Sequence, residues 1–188
     1  MPSKGPRAPR FVQRLRTTRL LLSLFTAAAT ATVIIGLRSA GKADVPGFFG
    51  YGTMLADVNV ALEVLLVVGL TFGMGLARRG RIEVHRTNQT IWVSVNAALV
   101  ALIMIGSIRT FKLAHWSDLA NVGNLIIVAH AVIGTLTFAA GMWLVLQMND
   151  ILPERMHLSS WKTMMRWTLA GYWVVALLGI ATYRVWYA

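Results

Sequence analysis

Four polar or ionisable residues stand inside long apolar runs of the chain: Asn59, Glu63, Asn96 and His130. A charged group at the centre of a lipid-crossing helix costs ~2.5–3.5 kcal/mol, so each position calls for a reason. Glu63 lies roughly 13 Å along a helix that starts at Met54, and Asn59 sits at i−4 on the same face. His130 lies roughly 10 Å into a run that starts at Gly123. Both runs enter from the same side, so the two depths agree to within about a turn. If their helices are neighbours, Glu63 and His130 meet as a carboxylate–imidazole pair. Two roles are open to such a pair: ligand to a haem or metal, or a step in a proton relay. The structural alternative for His130 is a hydrogen bond to a hydroxyl or carbonyl of the next helix. Asn96 lies nearer the opposite end, where a buried amide commonly bridges helices. Tyr172 and Tyr183 are further bridging candidates.

The remaining histidines fall in the connections between apolar runs. His85 and His157 share one side, where convergence on a metal is the chemical reading and solvation the bland one. His115 is on the other side and cannot join them. Met148, Met164 and Met165 could ligate haem or copper(I), but methionine more often fills gaps in packing. The chain has no cysteine, which excludes disulfides, thiolate zinc sites and cysteine-held clusters. It contains no phosphate-binding glycine loop, no His-Glu-x-x-His and no Gly-x-Ser-x-Gly, so catalysis of the soluble type is not expected.

The elements that must position these groups are five apolar runs, about 20–37, 54–77, 90–108, 123–146 and 165–187. At ~1.5 Å per residue each reaches across a hydrocarbon core of ~30 Å, the shortest only just. The expected fold is therefore all-α: a polytopic membrane protein of five transmembrane helices. Residues 1–19 form a basic tail and residues 20–188 a single bundle. The first run exceeds the usual ~7–15 residues of a secretory signal core, so it reads as a retained helix, either within the working bundle or peripheral to it. The net charge of +11 suggests nucleic acid at first sight. The 18 basic residues lie at helix ends, however, and not on a soluble face, which excludes that partner. Thirteen of them, including Arg14, Arg16, Arg19, Arg78, Arg79, Arg81, Arg86 and Arg166, fall on one side, and five fall on the other. Basic residues accumulate on the cytoplasmic side, which predicts a cytoplasmic N-terminus and an outside C-terminus.

Two further patterns concern contact. The connection around Phe48, Phe49 and Tyr51 is aromatic and glycine-rich, which fits an interfacial loop or a docking surface for a partner on the outer face. Gly69 and Gly73 form a GxxxG pair, and Gly134, Thr137 and Gly141 share a face of the fourth run. Small residues at that spacing let helices approach closely, here most simply within the bundle.

Residues 54–96, with Asn59 early in a helix and a basic turn ending in His85-Arg86, resemble the YozB/CtaM-like family of small membrane proteins. Its mid-helix histidine is resembled by His130 in Leu125–His130, and its closing helix by Arg166-Trp167-Thr168 through Gly179–Tyr183. The resemblance covers about residues 54–187. It implies association with haem–copper oxidases, apparently in their maturation. The chain would then be a non-enzymatic protein of a bacterial plasma membrane, working on a larger membrane redox complex, with His85 and His130 as haem or copper ligands. A family histidine five residues before the closing arginine is Trp161 here, with His157 four residues earlier. That departure fits a relative that keeps the scaffold as an accessory subunit of a respiratory or photosynthetic complex. A small b-type cytochrome is the third reading, because paired bundle histidines hold haem axially.

Overall fold

The computed structural model describes residues 10–110 and 119–187. Lys4, Arg7, Lys112, His115 and Trp116 lie outside the described residues. Six α-helices follow in order: α1 Arg10–Ser39, α2 Met54–Arg78, α3 Ile82–Leu99, α4 Ile105–Thr110, α5 Val122–Met148 and α6 Trp161–Tyr187. A π-turn, Val100–Met104, joins α3 to α4 without a break, so the two form one rod. Five helical segments are long and apolar enough to cross a membrane: Gln13–Ser39, Met54–Arg78, Ile82–Ser107, Val122–Met148 and Trp161–Tyr187.

Helix limits follow from local chemistry. The Thr53 hydroxyl accepts the Ala56 amide at the start of α2, and the Asn121 side chain accepts the Gly123 and Asn124 amides at the start of α5. Gly80, with φ +74°, takes the left-handed conformation that ends α2 and reverses the chain within a few residues. As a result α3 starts at Ile82, well before the apolar run at Thr90, and His85 lies in a helix rather than in a connection. The expected basic tail 1–19 changes in the same way. Helix α1 begins at Arg10, because the residues before the apolar run are themselves good helix formers. The hydroxyls of Thr17, Ser23, Thr26, Thr30 and Thr32 bond to carbonyls one turn back, which lets a threonine-rich helix face lipid with its polar groups satisfied.

The closely packed pairs are α1–α3, α2–α3, α2–α6, α3–α5 and α5–α6. Helices α2, α3, α5 and α6 therefore form a ring of four, and α1 leans on α3 from outside it. Helices α2 and α5 face one another across the ring and do not pack side by side. The core joins Leu66, Val67 and Leu70 of α2 to Val93 of α3, Val145 of α5, and Tyr172 and Ala176 of α6. A second cluster sets Ile34 of α1 against Leu99 and Ile103. Arg19, Asp57, Glu63, His85, Asn96 and Asn149 are buried, whereas Leu21, Phe25, Phe72, Val122, Leu136, Trp167 and Leu177 are exposed. Polar groups inside and large apolar side chains outside is an arrangement suited to lipid as the surrounding solvent.

Glycines set the close contacts. Gly69 and Gly73 press against α3: a Cβ at Gly69 would collide with Trp92, and one at Gly73 with Asn88 and Gln89. Across that narrow gap the Asn88 and Gln89 side chains donate to the Gly69 and Leu70 carbonyls at 2.8 and 3.0 Å. Gly141 lies under the Tyr172 ring and Gly171 under Thr137, so the small-residue face of α5 packs on α6. Both small-residue patterns thus serve contacts within the chain, as the sequence led us to expect.

Candidate functional site

Glu63 is buried in the ring, in the middle of α2. Its Oε1 accepts a 2.9 Å hydrogen bond from Asn59 Nδ2, the i−4 pair expected from spacing. Its Oε2 is buried and has no hydrogen-bond partner. Opposite it on α6 stands Gly179. A Cβ there would overlap Glu63 Oε2 and come within 3.2 Å of His130 Cε1. The carboxylate and the imidazole therefore converge on one small residue. They converge although α2 and α5 are not neighbours, because the hydrogen side chain of Gly179 leaves room across the ring, and no hydrogen bond joins them. His130 is half-buried, and its Nδ1 lies 3.2 Å from the Val175 carbonyl. A carbonyl only accepts, so Nδ1 carries the proton.

Directly below is a cavity of about 30 Å³ lined by Glu63, Asn96, Tyr172, Val100 and Met104. Asn96 Nδ2 donates to the Tyr172 hydroxyl at 3.2 Å, bridging α3 and α6. Val100 and Met104 come from the π-turn, whose wider winding shapes that wall. Single π-turns inserted in α-helices often mark working positions.

No family model, no curated sequence and no solved structure matches the chain. The site is read from its own geometry.

His85 is held differently. It is buried at the opposite end of the ring, and its Nδ1 donates to the Gly73 carbonyl at 2.7 Å. Its Nε2 is buried without a partner. With Nδ1 protonated, Nε2 of the neutral ring carries a lone pair, the tautomer in which imidazoles bind metals. His157 is exposed in the α5–α6 connection, with Nε2 on the Leu152 carbonyl at 3.1 Å. Among the described residues no three His, Asp or Glu side chains gather in a way that could hold a metal. His85 and His157, expected to converge, are held by different partners: α3 carries His85 inward onto the Gly73 carbonyl of α2, and His157 is exposed on the Leu152 carbonyl. Nor do His85 and His130 face one another. His85 bonds to Gly73 and His130 lies beside Glu63, ten residues and so roughly 15 Å apart along α2. In this arrangement they cannot be the two axial ligands of one haem.

The aromatic loop is built onto the ring. Asp57 is fully buried, and it accepts the Tyr183 hydroxyl at 2.5 Å and the Phe49 amide at 2.5 Å. The Tyr183 oxygen in turn accepts the Gly52 amide at 2.9 Å. Gly47 and Gly52 are required there, since a Cβ on the first would strike Asp57 and on the second Tyr183. Phe48, Phe49 and Tyr51 stay exposed, with Arg184 stacked over the Tyr51 ring at 4.6 Å.

One polar cluster was not legible as a site. Arg19 is buried, donating to Asn149 Oδ1 at 3.0 Å and to Glu83 Oε2 at 2.6 Å. Asn149 donates to Thr90 Oγ1 at 3.0 Å. The sequence placed Arg19 among the basic residues at helix ends on one side. The one available signal was Glu83, an acid among cationic residues. Asn88 and Gln89 were missed as well, although with His85 they repeat at i, i+3 and i+4, the spacing that faces a GxxxG partner.

Proposed function

We propose that this protein assists the maturation of a haem–copper terminal oxidase in a bacterial plasma membrane, passing haem or copper as cargo through single histidines. The observation that carries the reading is His85: an imidazole fixed through Nδ1 by a backbone carbonyl, with a buried, unpartnered Nε2. One imidazole whose Nε2 has no partner among the described residues suits brief handling of a cargo metal more than a resident cofactor. The resemblance of residues 54–187 to the YozB/CtaM-like family supplies the oxidase as partner. The concentration of basic residues at the end that holds His85 supports a cytoplasmic location for that end, with the aromatic loop outside.

The test is complementation of a strain lacking the gene. His85→Gln keeps a donor for the Gly73 carbonyl and removes the imidazole. We expect it to accumulate in the membrane while oxidase haem content and oxygen consumption fall several-fold. Wild-type oxidase levels with His85→Gln would overturn the reading.

A second reading, a permanent accessory subunit of a respiratory or photosynthetic complex, is favoured by the aromatic loop. Its three exposed rings sit on a frame fixed by Asp57 and Tyr183, as suits a docking surface. Quantified pull-down from native membranes separates the two. One-to-one association with a mature complex supports the subunit, and trace association with immature oxidase supports the maturation factor.

A further inference from the structure

Glu63 takes no part in the handling of cargo at His85, yet its surroundings are built. Its Oε2 is buried and unpartnered, beside a cavity of about 30 Å³. That volume exceeds the ~10–15 Å³ that one water needs, and a water there would meet the several polar partners it requires. Glu63 contributes a carboxyl oxygen, and Asn96 and Tyr172 contribute the polar groups of the opposite wall. Helix α6 supplies Gly179, which makes room for both Glu63 and His130. The titratable groups facing Glu63 are His130 from α5 and Tyr172 from α6. Helix α3 presents Asn96, which does not titrate. Asp57, further along α2, is turned to Tyr183 and Phe49. Among the described residues no cationic side chain lines the cavity, so none of them compensates an ionised Glu63. An uncompensated carboxylate buried among helices is costly, and three things relieve it: a proton, water, or a small cation.

We propose that this cavity is a hydrated proton-binding site in the middle of the membrane, with Glu63 as the group that takes and releases the proton. The proton moves between the Glu63 carboxyl and the water beside it, and the Asn96–Tyr172 pair orients that water. His130, on the other side of Gly179, is a positioning residue that borders the carboxyl.

Infrared spectroscopy of the purified full chain tests this through the carbonyl stretch of a protonated carboxyl. The expected result is a band that shifts to lower frequency when H2O is replaced by D2O, disappears completely in Glu63→Gln, and returns at a changed frequency in Glu63→Asp. His130→Ala is expected to move the band without abolishing it. If Glu63→Gln fails to fold, the comparison of wild type with Glu63→Asp decides: a displaced band supports the proposal and an unmoved one overturns it. Absence of a Glu63-dependent band across the whole pH range in which the protein stays folded overturns it too. A carboxylate band that instead responds to added sodium assigns the site to a small cation and overturns the proton reading.

Discussion

At the residue scale, the decisive atoms are those whose second hydrogen bond is made, or is missing. Tyr183 both donates to Asp57 and accepts from Gly52, so it joins α6, α2 and the aromatic loop through one oxygen. Tyr183→Phe removes both bonds and leaves a buried Asp57 oxygen without its donor. We expect a lower melting temperature in detergent and faster proteolysis within residues 44–53, read by mass spectrometry of the fragments. Gly179 is the other pivotal position. Gly179→Ala adds a methyl group where Glu63 and His130 converge, and overpacking of that kind costs typically about 1–3 kcal/mol. Its melting temperature should fall, whereas Gly75→Ala, where a Cβ meets nothing within 4 Å, should leave stability unchanged or raise it. The pairing of Asn59 with Glu63 was legible from i−4 spacing alone. The approach of Glu63 and His130 to one glycine was legible only as a match of depths. What completes it is a glycine on a third helix, which no periodicity singles out.

At the scale of elements, α2 and α3 behave as one hairpin. The GxxxG pair brings the backbones together, and His85, Asn88 and Gln89 then donate side-chain hydrogen bonds to carbonyls already engaged in α2. Replacing Gly69 with Leu would drive a side chain into Trp92 and separate all three donors from their acceptors. Loss of folded protein is the expected outcome, checked by monodispersity in gel filtration after detergent extraction. The apolar runs located the five described helices long and apolar enough to cross a membrane, because length and apolar composition are properties a sequence displays directly. They placed the start of α3 too late, since its first two turns are polar: His85, Asn88 and Gln89 are satisfied by the neighbouring helix, and Glu83, Arg86 and Thr87 bond within α3. The π-turn was not legible either, as Val100–Met104 is as apolar as its flanks. Both Val100 and Met104 nonetheless line the cavity wall. Deleting Leu102 should restore regular winding with little rotation of Ile105–Thr110, and reshape that wall.

For the whole molecule, the division is between a ring of four helices and an outlying α1. Orientation of α1 rests on Arg19, which is 5% exposed and reaches Glu83 and Asn149. Arg19→Ala leaves the buried Asn149 carbonyl oxygen without its donor, costing about 1–3 kcal/mol, while Glu83 stays half exposed and keeps Arg86. Because the four-helix core is untouched, we expect α1 alone to loosen. Crosslinking between cysteines introduced at Ile34 and Leu99 would drop while the ring stays folded. Arg19 also imposes a timetable on synthesis. Its first partner, Glu83, leaves the ribosome 64 residues later, and its second, Asn149, 130 residues later. At about 5–20 residues per second, the arginine waits on the order of ten seconds for its full set of bonds. Over the second half of that interval Glu83 is its one partner of the two. A nascent chain stalled before Asn149 therefore carries a first helix tied by a single half-exposed carboxylate, and it is the arrival of Asn149 that closes the molecule.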